Sequence, residues 1–401
     1  MIHVNPDVLR WARETAGLSL DQAAQKIDLK EARGVSGERR LAQLESGASA
    51  PTRSQLARMA KQYRRPLIAF YLSAPPSAGD RGQDFRTLPA AQKTTSAPLV
   101  DALLRDIKAR QEMVRAVLID AEEATPLAFI GSARMADGVP AVVAAIRRTL
   151  GIDTPELRAT ANPDESFALL RARAESIGVF VLLAGNLGSH HTSLDVEVFR
   201  GFALADSIAP FIVINDLDAR SAWSFTLLHE LAHLWLGETG VSGLYGQSKL
   251  EQFCSDVAST FVLPDHELAT LAIDQPGTGG IASAIGVFAR ERHLSRSMVA
   301  YRLLRSGRLD ENAWQTLSVR FREEWRQSRE ARRARERDSE GGPNYYVVRR
   351  HRLGSALLRL VSRSMNEGLL VPTKAARILG VKPRSVEPLL RGASLSAAGG
   401  A

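Results

Sequence analysis

Cysteine is almost absent from the 401-residue chain. Cys254 stands alone, which excludes an intrachain disulfide and a zinc site made only of cysteines. Aromatic residues are sparse at 6%, and no apolar run reaches the roughly 18–20 residues of a membrane-spanning helix. The opening MIHVNPDVLRWARE lacks the basic start, apolar stretch and small-residue cleavage site of a secretory signal. The expectation is a cytoplasmic protein with no membrane partner. What is present, 45% hydrophobic and 24% charged residues, is the balance of a soluble globular chain. A mass of 43.7 kDa leaves room for roughly two to four domains.

The net charge of +8 is unevenly placed. Residues 1–72 carry 12 Lys and Arg against 7 Asp and Glu, and residues 320–401 carry 18 against 8. The stretch between them is acidic, with 22 against 29. Basic ends suit a polyanion such as nucleic acid, whereas the acidic middle has no electrostatic reason to bind one. Solvated helix faces explain the C-terminal arginines equally well.

Pattern and punctuation predict an α+β, mainly helical chain. Residues 1–76 read as four or five short helices with small residues at the bends, the shape of an all-α helix-turn-helix domain. Residues 77–98, rich in Ala, Ser, Gly and Pro around the patch DFRTL, read as a linker. In 99–280, a helical section precedes three strand-like runs: Val179–Leu183, Glu197–Ala205 and Phe211–Ile214. Helices follow at 221–236 and 251–263. Residues 281–401 form a helical C-terminal region, apart from a strand-like piece at Tyr345–Val348.

The motif His229-Glu230-Leu231-Ala232-His233 sits in an apolar setting. On a helix, positions i and i+4 share a face, so both imidazoles can reach one metal ion. Glu230 lies beside that face, where a carboxylate can take a proton from water. The competing reading is a buried helix with two hydrogen-bonded histidines, but it leaves the Glu230 charge in need of a buried partner. A catalytic zinc takes three protein ligands, and the next helix offers Glu251, Cys254 and Asp256. Glu251, in the first turn, can point back across a helix pair. Asp256 is the alternative ligand, or an acceptor for a histidine's second N–H. Cys254 reads as a buried thiol.

These residues resemble one family. EVFRGFALADSIAPFIVIND, FTLLHELAHLWLGETGVS and EQFCSDVASTFVLP are similar to the metallopeptidase domain of the ImmA/IrrE family. WARETAGLSLDQAA, LESGASAPTRSQLARMAKQY and DFRTL resemble the Xre/Cro-type helix-turn-helix that many members carry in front of it. The likeness covers residues 5–265, with looser motifs beyond. It implies one zinc ion held by His229, His233 and Glu251, with Glu230 as general base, in a minimal zincin. Members usually have Asn where this chain has Ser255, a departure that touches a supporting hydrogen bond and not the ligand set.

The resemblance implies a stress-response type of transcription regulator that binds an operator duplex and cleaves a partner protein such as a repressor. The alternative is a non-proteolytic regulator or antitoxin-like protein whose zinc domain senses or docks. The reading leaves room for a homodimer. Arg39, Arg40 and Gln43 in the third helix and Arg53 near the start of the fourth are the expected DNA contacts. The segment Asp28–Gly37 is longer than the usual tight turn between the two central helices. His190, His191, Arg220, Tyr245 and His266 are oxyanion-stabilising candidates by type alone. The strand near Gly201–Ala205 is placed to hold an extended peptide by edge pairing. A second turn-helix pattern, Thr373–Ser385, carries Pro383, which shortens any following helix.

Overall fold

The computed structural model describes residues 4–76, 97–188, 192–242, 249–273, 277–337 and 344–391. The chain divides into two compact units, residues 1–106 with 187–193, and residues 107–186 with 194–401. The expected DFRTL patch lies outside the described residues.

The first unit holds α1 (Pro6–Thr15), α2 (Leu20–Lys26), α3 (Gly37–Glu45), α4 (Arg53–Gln62) and a 3-10 turn at Leu67–Tyr71. Local chemistry sets each start. The Asn5 side chain accepts from the Asp7 amide ahead of α1, and Ser19–Gln22 and Thr52–Gln55 form reciprocal capping boxes. Leu9, Ile27, Leu41, Met59 and Phe70 make the core. Within it, Arg13 grips Glu45 through two 2.8 Å bonds, tying α1 to α3. The long α2–α3 segment folds back on itself: Ala32 and Val35 exchange backbone hydrogen bonds around Arg33 (φ 55°) and Gly34 (φ 70°). Two successive positive φ angles are the signature of a tight hairpin turn.

Helix α5 (Ala97–Asp120) follows. The second unit continues with α6 (Val139–Leu150), α7 (Thr154–Arg158) and α8 (Pro163–Ser176). Next come β1 (Phe180–Leu183), β2 (Gly201–Leu204), β3 (Phe211–Ile214), α9 (Arg220–Leu236), β4 (Gly240–Ser242) and α10 (Lys249–Val262). The four strands lie in the order β1-β3-β2-β4, with β1 parallel to β3 and the other pairs antiparallel. β1, β2 and β3 are buried at every position, so both faces of the sheet are covered. Two expectations change here. The strand predicted over Glu197–Ala205 begins only at Gly201, because Asp195 turns the chain by accepting from the Glu197 amide at 2.9 Å. Nor does β2 offer a free edge for a peptide, since β3 and β4 pair with its two sides.

Helices α11 (Asp265–Leu268), α12 (Gly277–Glu291), α13 (Arg296–Arg305) and α14 (Glu311–Arg337) come next, then α15 (Tyr345–Leu353), α16 (Ser355–Asn366), α17 (Pro372–Leu379) and α18 (Val386–Arg391). The strand predicted at Tyr345–Val348 is the start of α15. The Asn344 side chain accepts from the Tyr346 amide at 2.8 Å, and this cap outweighs the weak strand preference of Tyr and Val. The C-terminal helices are riveted to the sheet edge. Buried Arg171 pairs with Glu175 at 3.1 Å, donates to the Val181 carbonyl of β1, and donates to the His351 carbonyl at 2.6 Å. Glu175 in turn caps α16, accepting from the amides of Ser355 (3.0 Å) and Ala356 (3.1 Å). Removing one partner of a buried pair leaves the other charge uncompensated, which costs roughly 3–5 kcal/mol. The second turn-helix pattern becomes α17, a 3-10 turn at Pro383–Ser385 and the six-residue α18, whose Val386, Leu389 and Leu390 are buried.

Candidate metal centre

Helix α9 is apolar nearly all round, the composition of a helix that runs through a core. Its end is closed by Gly237 in the left-handed conformation, and the amides of Gly131 and Ala133 satisfy the carbonyls of Leu234 (3.0 Å) and Trp235 (2.9 Å). The helix is thereby held from a neighbouring loop as well as by packing. Helix α10 is anchored in a comparable way. Arg147, Arg158 and Arg302 donate to the carbonyls of Phe261 (2.5 Å), Val262 (2.5 Å) and Leu263 (3.2 Å), placing three cations where a helix end favours them.

Between these two helices three donor groups converge. His229 Nε2 and His233 Nε2 are 3.2 Å apart, and Glu251 places Oε2 3.1 Å from the first and Oε1 3.3 Å from the second. Ligand atoms about 2.0–2.1 Å from one tetrahedral ion stand about 3.3 Å from each other. The spacing and the two-nitrogen, one-carboxylate chemistry therefore fit zinc. His233 and Glu230 are fully buried and His229 nearly so.

The electrostatics agree with a tightly packed donor set. Burial alone would push the His233 imidazole down, yet hydrogen bonds with Cys254 and Glu251 outweigh it and hold it well above its ordinary value. His229 is lowered, chiefly by burial. Burial pushes the Glu251 carboxyl up, but the hydrogen bonds from His229 and His233 prevail and keep it far below the usual carboxylate range. The Cys254 thiol is pushed up by burial and sits beside His233 as a neutral neighbour outside the donor triangle.

Asp256 is neither a ligand nor a histidine acceptor. It accepts from the Tyr301 hydroxyl at 2.7 Å and from Arg305 Nε and Nη2 at 2.8 and 2.7 Å, so it is turned toward α13. The supporting contact comes instead from Ser255, whose Oγ lies 3.3 Å from His229 Nδ1. Ser255 thus reaches His229 from the neighbouring helix.

Gly201 carries a role that the strand pattern did not reveal. A Cβ there would stand 2.7 Å from the Thr226 methyl and 2.8 Å from Glu230 Oε1. A bare α-carbon is what allows β2 to lie against the Glu230 carboxylate. The detectable signal is a glycine opening an apolar strand. Asn215 likewise carries no signal in the sequence pattern. It is fully buried at the end of β3 and donates to the carbonyls of Leu194 (3.2 Å) and Phe199 (2.9 Å), holding the approach to β2.

Of the oxyanion candidates, Arg220 begins α9, stacks 4.1 Å over Trp223 and faces Asp164 at 3.4 Å. Nine residues separate it from His229, about 13 Å along a helix. His266 is exposed on α11. His190, His191 and Tyr245 lie outside the described residues. In the first unit, Arg39, Gln43 and Arg53 are exposed, while half-buried Arg40 donates to the Lys30 carbonyl at 2.5 Å.

Residues 175–304, from the end of α8 through α13, match the family model of the IrrE N-terminal-like domain, Peptidase_M78. No curated protein matches the chain. No helix among the described residues is long and apolar enough to cross a membrane. The stretch that contains all three donors and Glu230 is therefore similar to a metallopeptidase-type domain.

Proposed function

We propose that the protein is a zinc-dependent endopeptidase joined to an N-terminal DNA-binding domain, acting as a regulator that cleaves a partner protein such as a repressor. The observation that carries the hydrolytic part is the donor triangle of His229, His233 and Glu251 with the buried Glu230 carboxylate one residue along the same helix. Zinc at such a site acts as a Lewis acid and lowers the pKa of water towards about 7. Glu230 takes a proton from the attacking water and returns it to the leaving amine. Ser255 orients His229 from behind, and Gly201 lets Glu230 keep its place under β2. A purely structural zinc has no use for that glutamate.

The DNA-binding part rests on the basic first unit, with Arg39, Gln43 and Arg53 exposed on or beside α3 and α4 and Arg40 next to them. The hairpin that lengthens the α2–α3 connection leaves both helices capped by their own side chains, Ser19 and Ser36.

The test compares wild type with Glu230→Gln for zinc content and for loss of candidate protein substrates. Equal zinc with cleavage only by wild type is expected. Equal zinc and equal substrate levels would overturn the peptidase and leave the sensing or docking regulator. For DNA, salt-dependent binding of a duplex should vanish when residues 1–72 are deleted.

A further inference from the structure

A cavity of about 830 Å³ opens at the start of α9, the helix that carries His229, Glu230 and His233, and none of its lining residues is His229, Glu230, His233 or Glu251. Its size is that of a ligand pocket. Three walls link it to the hydrolytic residues. Ala222 lines it from α9, on the same helical stripe as Thr226, His229 and His233, so the cleft continues that face about two turns towards the helix start. Arg200 lines it too and immediately precedes Gly201, the residue lying against Glu230. Tyr301 lines it from α13 and holds Asp256, the neighbour of Ser255.

One wall is a face of α14. Trp314, Phe321 and Trp325 recur at i, i+7 and i+11, forming an apolar stripe, with Arg322 beside it and Arg290 contributed by α12. Most charges in the cleft are already engaged. Arg296 reaches Glu324 at 2.5 Å, Arg326 faces Glu323 at 3.2 Å, and Arg200 faces Asp218 at 3.7 Å. Asp195 and Asp218 also accept from the amides of Glu197 (2.9 Å) and Ala219 (2.8 Å). Arg290 and Arg322 have no carboxylate within ion-pair distance among the described residues. Two such guanidinium groups beside an aromatic stripe match carboxylates carried next to a bulky apolar side chain. Asp195, Glu197 and Asp218 in the same lining limit the negative charge the cleft can take to one or two groups, which suits a peptide with isolated carboxylates and not a chain of phosphates.

We propose that this cleft is a substrate subsite that takes a Glu- or Asp-bearing segment of the protein to be cleaved, seating a neighbouring aromatic or branched side chain on Trp314, Phe321 and Trp325. The inference deepens the endopeptidase reading and rests on it.

The test uses the full-length, zinc-loaded Glu230→Gln protein, so that a bound peptide stays intact. A fluorescently labelled octapeptide alternating Glu with Phe and Leu is compared by anisotropy with the same peptide carrying Gln for Glu. The acidic peptide should bind about tenfold more tightly at low salt, as two partly exposed charge pairs would give. Arg290→Gln combined with Arg322→Gln should erase that preference with zinc content and melting temperature unchanged, and Trp325→Ala should weaken both peptides alike. Equal binding of the two peptides, or a preference that survives the double variant, overturns the proposal. So does a duplex oligonucleotide that displaces the peptide and itself loses affinity in the double variant. Binding is read without hydrolysis, so a protein that prefers the acidic peptide yet never cuts would refute the peptidase reading alone.

Discussion

Helices α3 and α9 carry their polar residues in opposite ways. α3 buries Leu41 and Leu44 and turns Arg39 and Gln43 to water, whereas α9 buries His229, Glu230 and His233 among leucines and tryptophans. A surface that reads a partner needs its groups solvated and reachable until the partner arrives. A hydrolytic centre needs them desolvated and mutually fixed, because charge interactions strengthen as water is excluded. The contrast explains why the buried set can be argued from its own geometry, while the proposed duplex contacts of the exposed set have to be tested by binding.

Breaking the buried side should produce the largest effects. Glu251→Ala removes one of three protein donors, and zinc affinity should fall by more than the roughly 100-fold reached by changing a supporting residue. Competition with a zinc-sensitive dye measures it, and unchanged affinity would remove Glu251 from the site. Ser255→Ala should weaken zinc by about 10-fold to 100-fold and leave the fold intact. Gly201→Ala should crowd Glu230, lowering the cleavage rate with zinc retained and costing about 1–3 kcal/mol in denaturant unfolding. An undiminished rate would mean that the strand yields and that Glu230 is not held by it.

On the exposed side the effects should be smaller and should spare zinc altogether. Arg39→Ala is expected to cost about 1–3 kcal/mol on a preferred duplex and to relax discrimination there. Arg53→Ala should weaken all duplexes alike and reduce the salt slope by about 1, readable from titrations at several salt concentrations. A variant that changes both duplex binding and zinc affinity would erase the contrast between the two helices.

Much of this arrangement was legible from short-range rules. The i, i+4 spacing of His229 and His233 and the first-turn position of Glu251 depend on one helix each, and the strands Val179–Leu183 and Phe211–Ile214 announce themselves as apolar runs. What escaped depends on partners distant in sequence. β4 is three residues long and exists because β2 pairs with it. Asp256 faces away from the histidines because α13 brings Tyr301 and Arg305 to it. Tyr345–Val348 has the composition of a strand, and a single asparagine cap turns it into a helix. The importance of Gly201 lies in an atom that it lacks, which becomes visible only when α9 lies under it.

The rivet of Arg171 and Glu175 has a consequence for how the chain can be shortened. It fastens the last helices to β1, which is an outer strand of the sheet. A protein ending before residue 344 would keep every donor of the metal centre yet strip the cover from that strand and strand a buried cation–carboxylate pair in water's path. Exposed strand edges recruit other chains. Such a truncation should therefore precipitate or form soluble aggregates, and the expected part of the basic C-terminal stretch is to keep the unit that holds the metal centre in solution.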